Sequence, residues 1–297
     1  MKRKFLYSIL IAILVVANKQ AAAQQHFSVT LRLNYAKDVK LYHDESLILT
    51  VTLTNQEARE NSRWNKAADR RLKELEELIQ LNKISRDDYD KEKRSLMEGK
   101  RKVSVITIGT ESNPWSQSVK WKIGDKKSGV EIMLPVKPLT NPTSEAVAIL
   151  DEKGYYVSYF GVSPEDMKKT PGGSYSIAAI VDGVSSEEAG LEIKSEAMPA
   201  IISGSEEMIL RTGQYYWHSN DAAKTIQFAE MILAKNPVSL DGLSLKGDGQ
   251  VLQQSYQQAL ETFNKAVKEY YRQNGTVAEP PEYLLETISW IKKQLGQ

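Results

Sequence analysis

Two stretches in the last third of this chain align at an offset of 34 residues. Gly213 falls on Gly247, Ile209 on Leu243 and Ala222 on Tyr256, and the first stretch closes at Pro237. A fixed period of this length means stacked two-helix units, each unable to bury its apolar face alone. The helical spacing supports this. Ile209, Leu210, Tyr216 and Trp217 form a first apolar face, and Ser219-Asn220-Asp221 caps a helix carrying Ile226, Ala229, Ile232 and Leu233. Leu243, Leu245, Val251 and Leu252 open the next pair. Tyr256, Ala259, Phe263, Ala266 and Tyr270 follow at steps of three or four. After a break at Gly275–Pro281, Leu284, Leu285, Ile288 and Ile291 mark a last helix. Two repeats and a helix fall short of the roughly three that a free array prefers. The segment is therefore expected to dock on the rest of the chain or on a second chain, with the last helix as a cap.

The N-terminus bears on location. Lys2, Arg3 and Lys4 precede an apolar run from Phe5 to Ala17, and Ala21-Ala22-Ala23-Gln24 follows shortly after. This is the pattern of a secretory signal peptide over residues 1–23, with cleavage expected after Ala23. The alternative is an uncleaved anchor, but the run is shorter than the roughly 20 residues a spanning helix needs. No later segment is long and apolar enough to span a bilayer. The protein is thus expected to be exported, periplasmic or extracellular, with no membrane span after cleavage. Cysteine is absent, so disulfides and thiolate metal sites are excluded. Losing residues 1–23 removes four basic side chains and no acidic ones, leaving 35 against 38. Near neutrality gives no electrostatic case for nucleic acid.

Residues 24–200 read as β with one interruption. In Leu47–Thr54 every odd position is aliphatic, which puts one strand face on a core and the other partly in water. Phe27, Val29, Leu31 and Leu33 alternate in the same way. Between residues 60 and 100 the period turns helical: Leu72, Leu75, Leu78, Ile79 and Leu81 form a stripe. Ser85-Arg86-Asp87-Asp88 then caps a second helix holding Tyr89, Leu96 and Met97. Strands resume with Val103–Ile108, Trp115–Ile123, Val130–Leu134, Ala146–Leu150 and Tyr155–Phe160, with a turn at Glu152-Lys153-Gly154. Ser163–Asp166 reads as a short helical turn. Pro171-Gly172-Gly173 leads into Tyr175, Ile177, Ala179 and Val181. Short strands separated by turn signals suggest a sandwich. A Ser-, Glu- and Gly-rich shift over 183–204 places a domain boundary near residue 200. The fold class expected is multidomain α+β, a β-sandwich with a helical-hairpin insertion followed by an all-α domain over 201–297.

Three resemblances sharpen this. Gly247, Tyr256, Ala259, Phe263 and Ala266, with Gly213, Tyr216, Ala222, Ala229 and Pro237, resemble tetratricopeptide repeats; Thr225, Ile232 and Gln250 depart from that pattern. The resemblance implies a concave side that holds a peptide or partner helix. The Pro-Gly-Gly-Ser-Tyr lead into a late strand resembles bacterial immunoglobulin-like domains. It implies that Tyr175 is a tyrosine-corner residue whose hydroxyl returns to upstream backbone. Residues 70–98 look similar to short oligomerisation hairpins found near bacterial membranes, through Leu72, Leu75, Leu78, Ile84, Ser85, Asp88, Tyr89, Lys93, Leu96 and Met97. That implies self-association through residues 60–100.

Catalytic chemistry finds little to stand on. The histidines are His26, His43 and His218. His43 beside Asp44 and Glu45 is a weak metal arrangement, because neighbours in a strand point to opposite faces. There is no nucleophile elbow, P-loop or His-Glu-x-x-His helix. Asp241-Gly242 and Asp248-Gly249 lack calcium-loop spacing, and two glycines inside a helix should cost about 1 kcal/mol each relative to alanine. The expectation is a non-enzymatic, cofactor-free interaction or scaffold protein of the cell envelope. Its partner is another envelope protein or a peptide. Tyr215, taken as the exposed member of Tyr215-Tyr216-Trp217, together with Gln253, Gln257 and Asn264, is the expected partner-binding set. The alternative is carbohydrate binding by the sandwich, with Trp115, Trp121 or Tyr156 as a stacking platform.

Overall fold

A computed structural model describes residues 27–98, 103–139, 146–151, 155–199 and 204–297. The signal peptide, His26, the Glu152–Gly154 turn and the boundary near residue 200 lie outside these residues.

The chain is mixed α+β, with sheets in the N-terminal two-thirds and helices beyond. One sheet has the order β1 (Phe27–Leu33), β3 (Leu47–Asn55), β8 (Tyr155–Val162), β6 (Lys137–Pro138), with every neighbour antiparallel. The other is built on β9 (Gly173–Val181), flanked on one side by β5 (Lys120–Asp125) and on the other by β11 (Ala189–Lys194). β10 (Val184–Ser185) extends that second edge through a tight hairpin, and β2 (Asp38–Tyr42) runs parallel to β11. A short pair, β4 (Ile106–Ile108) with β7 (Ala148–Leu150), stands apart. Alternation decides the core. Leu33, Leu49, Leu53 and Phe160 from one sheet meet Ile177, Val181, Leu191 and Ile193 from the other. Two expected strands differ. Trp115 lies in a 3-10 turn and is buried, and Val130–Leu134 forms only a single bridge to β5 at Glu131.

The insertion leaves β3 directly. α1 (Gln56–Gln80) starts at Asn55, whose side-chain oxygen accepts from Ala58 N at 3.2 Å. The same fully buried side chain donates to the carbonyls of Ser104 (2.9 Å) and Leu150 (3.0 Å). One asparagine thus ends a strand, caps a helix and ties both to the β4–β7 pair. α2 (Arg86–Glu98) returns along α1 with Leu75 and Tyr89 buried between them and Arg71 paired to Glu92 at 2.7 Å. The Ser85 cap forms as expected, with Asp88 N donating to Ser85 Oγ at 3.1 Å. Further on, Ser163 caps the single turn α3 (Pro164–Met167).

The tail holds α4 (Glu206–His218), α5 (Ala222–Lys235), α6 (Leu240–Leu252), α7 (Tyr256–Asn274) and α8 (Glu282–Gln294). α4 and α6 are both 13 residues long and lie 34 positions apart at both ends. Their caps repeat too: Ser205 accepts from Met208 N, and Ser239 from Gly242 N. Each helix packs on the next, and α4 also touches α6. The helical glycines explain themselves here. A Cβ on Gly213 would lie 2.4 Å from Leu245 Cδ2, and one on Gly247 would lie 2.7 Å from the Phe263 ring. Close helix approach offsets the propensity these positions give up.

Candidate functional site

α4 joins the array to the sandwich. Arg211, Tyr215 and His218 recur at steps of four and three, so they share one helix face, and that face meets the first sheet. Tyr215 is 9% exposed and fills a socket with Ile48 of β3 and Leu139 after β6. Its ring lies over Gly161 of β8, where a Cβ would come within 2.7 Å of Tyr215 Cε2. This contact buries Ile48, on the β3 face expected to stay partly wet.

His218 is 1% exposed. Its imidazole stacks on Tyr159 of β8, with ring centroids 3.7 Å apart, and its Nε2 lies 2.8 Å from Tyr35 Oη. Nδ1 has no hydrogen-bond partner among the described residues. Donation from Nε2–H to Tyr35 Oη leaves only a lone pair unpaired, and an orphaned lone pair is better tolerated than an orphaned N–H. Burial pushes the imidazole pKa down to about 3, so it is neutral at ordinary pH. The Tyr35 ring is half exposed, but its hydroxyl end is buried against His218; that burial, with Tyr159 beside it, holds the phenol well above its usual range. Tyr35 follows Asn34 in a two-residue hairpin, with φ of 67° and 43°. A left-handed tyrosine costs roughly 1–2 kcal/mol. The Asn34 side chain, which accepts from Ile48 N at 2.7 Å, and the His218 bond hold it there.

The third contact is Arg211 Nη1 to Glu45 Oε1 at 3.8 Å. Glu45 is buried, and this raises its carboxyl; Tyr42 N, donating at 2.6 Å, and Arg211 pull it back in part. A knob, an aromatic–imidazole stack and an ion pair make a joint.

The far end of the array is different. α8 buries Leu284, Ile288 and Ile291, yet leaves Tyr283 and Trp290 51% and 44% exposed. They lie seven residues apart, on one face. Tyr283 Oη sits 3.3 Å from Ser244 Oγ of α6, and Trp290 meets Tyr256 of α7 edge-on at 5.7 Å. Ser244 lies between Asp241 and Asp248 along α6. Burial pushes Asp248 up to about 7, and burial followed by Glu206 raises Asp241.

Of the residues expected to bind a partner, Gln253, Gln257 and Asn264 are exposed. Gln257 and Asn264 lie on α7 away from its buried stripe of Ala259, Phe263 and Ala266. Tyr215 is not with them. The repeat marks it as a helix-face residue, but periodicity cannot tell which face the sandwich covers. Of the expected stacking platform, Trp115 is internal, and Trp121 and Tyr156 are half-buried. Trp115 is 1% exposed, Trp121 packs edge-on to Phe160 at 5.1 Å, and Tyr156 packs against the core. A polar cleft of about 460 Å³ between Thr107, Asn113, Lys120 and Asp182 has no aromatic in its lining. Among the described residues no group of three or more His, Cys, Asp or Glu side chains is placed to hold a metal, and no helix is long and apolar enough to cross a membrane. The Tyr283–Trp290 pair and the Tyr35–His218 contact were not anticipated. The seven-residue spacing of the first was visible in the sequence; nothing there linked the second pair.

No protein-family model, no curated protein and no solved structure matches the chain.

Proposed function

We propose that this is an exported, non-enzymatic interaction protein of the cell envelope, an immunoglobulin-like sandwich that carries a tetratricopeptide-like array for binding another protein. The sandwich assignment draws on strand order. With β2, β4, β7 and β10 set aside and the other seven strands lettered in chain order, β1-β3-β8-β6 and β5-β9-β11 match the ABED and CFG sheets of a constant-type domain. Tyr175, near the start of β9, donates its hydroxyl to Pro171 O at 2.7 Å, the tyrosine-corner bond. The array assignment draws on the 34-residue register of α4 and α6.

The observation that carries the functional reading is the exposed Tyr283–Trp290 face. The last helix of a stack normally turns polar residues to water. This one presents the two aromatic types that most often anchor protein interfaces. Gln253, Gln257 and Asn264 are polar groups suited to the margin of the same interaction, and residues 60–100 are a second contact for self-association.

The test is cross-linked capture from an envelope fraction with the full chain and with a Tyr283→Ala/Trp290→Ala variant of unchanged melting temperature. The reading expects a partner held by the full chain and lost from the variant. Recovery of nothing, or of the same proteins by both, overturns it.

A further inference from the structure

Asp248 is half-buried on α6, yet among the described residues its carboxylate has neither a hydrogen bond nor a salt bridge. The one cation of α6, Lys246, turns instead to Glu230 of α5 at 3.1 Å. A carboxylate withdrawn from water without a partner lowers stability, and here burial has pushed it up to about 7. The repeat does not demand an acid at this place: Gln214 occupies it in α4, 34 residues earlier. Folding alone therefore gives no reason for a carboxylate here.

The glycines on either side fix its direction. Gly247 abuts Phe263 of α7, and Gly249 abuts Ile226 of α5. With 3.6 residues per turn, the stripe of Ser244 and Asp248 falls between those two faces and packs on neither helix. Ser244 meets Tyr283 near the start of α8, at 3.3 Å. Trp290, two turns further along α8, meets Tyr256, which opens α7 just past the end of α6. α8 thus runs beside α6 in the same direction. At 1.5 Å per residue the two rings are about 10 Å apart along α8, and Asp248 lies about 6 Å beyond Ser244. The unpaired carboxylate therefore sits level with the gap between two rings, each about half exposed.

We propose that Asp248, flanked by Tyr283 and Trp290, is the receptor for one arginine side chain of the partner protein. The inference rests on the reading of the α8 face as the partner site and names what that face selects. A guanidinium donates two parallel N–H bonds to a carboxylate and stacks on aromatic rings through its flat face. It is also more weakly hydrated than an ammonium, which suits a half-buried acid better than lysine does. Its charge supplies the partner that Asp248 lacks within the chain. The rings take the apolar stem of the arginine and its neighbours, so affinity comes from the rings and selectivity from the acid.

The test selects random peptides displayed on phage against the full chain. The winners are then synthesised with each arginine kept or replaced by citrulline, which has the same shape without the charge. Affinities are read by fluorescence anisotropy. The selected peptides should share one arginine, and citrulline there should weaken binding at least tenfold. Asp248→Asn should weaken the arginine peptide at least tenfold and the citrulline peptide less than twofold. That variant relieves a buried charge, so its loss of binding cannot come from unfolding, and a melting temperature at or above that of the parent checks this. Tyr283→Ala/Trp290→Ala should weaken both peptides. Peptides that need the two rings but neither arginine nor Asp248 overturn this inference and leave the α8 face as the partner site. Peptides indifferent to the rings overturn both, and so does a selection that enriches nothing.

Discussion

His218 of the helical array and Tyr35 of the sandwich meet at 2.8 Å, Nε2 to Oη, at a point where the histidine is almost wholly buried. The tyrosine is held in a left-handed backbone conformation to make this contact. The bond spans the two halves of the chain, so whatever disturbs it acts on how they are held together.

Protonation is such a disturbance. Among the described residues the groups facing His218 are Tyr35, Tyr159 and Trp217, with no carboxylate bonded to it. Its folded pKa of about 3 lies below the ordinary 6.5, so the unfolded chain takes up a proton first as pH falls. The stability it contributes is complete above about pH 6.5 and declines toward pH 3, by at most about 1.4 kcal/mol per pH unit. His218→Phe keeps the stack and removes the titration. Melting temperatures measured from pH 7 to pH 4 should fall less steeply in the variant. Parallel curves would show that His218 does not titrate as a buried neutral group.

Asp248 should produce the opposite trend. Burial raises its folded pKa from 3.8 to about 7. The favourable, protonated form is fully present below pH 3.8 and lost as pH rises through about 7. Asp248→Asn keeps the shape without the charge. It should raise the melting temperature more at pH 8 than at pH 5; an equal effect at both would mean that the carboxylate is not strained by burial.

The bond from Tyr175 Oη to Pro171 O pins the loop that feeds β9. Tyr175→Phe removes that bond and leaves the carbonyl to find water. The expected loss is about 1 kcal/mol, typical of one hydrogen bond, read by urea unfolding with an unchanged slope. A loss under a few tenths would make the corner ornamental to stability.

Local chemistry carried most of the architecture in the sequence. Alternation in Leu47–Thr54 and Tyr175–Val181, the Ser85 cap and the 34-residue repeat each follow from side-chain spacing within a few turns. The misjudged positions depend on contacts distant in sequence. Tyr215 and Trp217 look alike from within α4, and only the socket at Gly161 and Leu139 decides which is covered. Ile48 reads as a half-wet strand residue until Tyr215 sits on it. Val130–Leu134 alternates enough for a strand, but the turn at Ser128-Gly129 returns it to β5 for a single bridge. The candidate site was legible only in part. Tyr283 and Trp290 share a helix face by spacing alone, whereas their exposure depends on where the stack ends.

The socket itself is open to a direct test. Tyr215 occupies the space above Gly161, and an added Cβ would lie 2.7 Å from its ring and 3.0 Å from Leu139 Cδ1. Neither ring nor leucine can withdraw without opening the joint, because Ile48 closes the other side. Gly161→Ala should therefore destabilise by about 1–3 kcal/mol, the usual range for overpacking a filled interior. Tyr215→Ala alone should cost about 3–5 kcal/mol for the aromatic volume removed. The informative quantity is the double variant. With the ring gone the alanine methyl has room, so the two losses should fall short of additive by at least 0.5 kcal/mol, the coupling expected of residues in contact. Chemical unfolding of all four proteins, with m-values compared to confirm one transition, measures it. Strict additivity would mean that Tyr215 does not rest on Gly161 in solution and that the array is joined to the sandwich some other way.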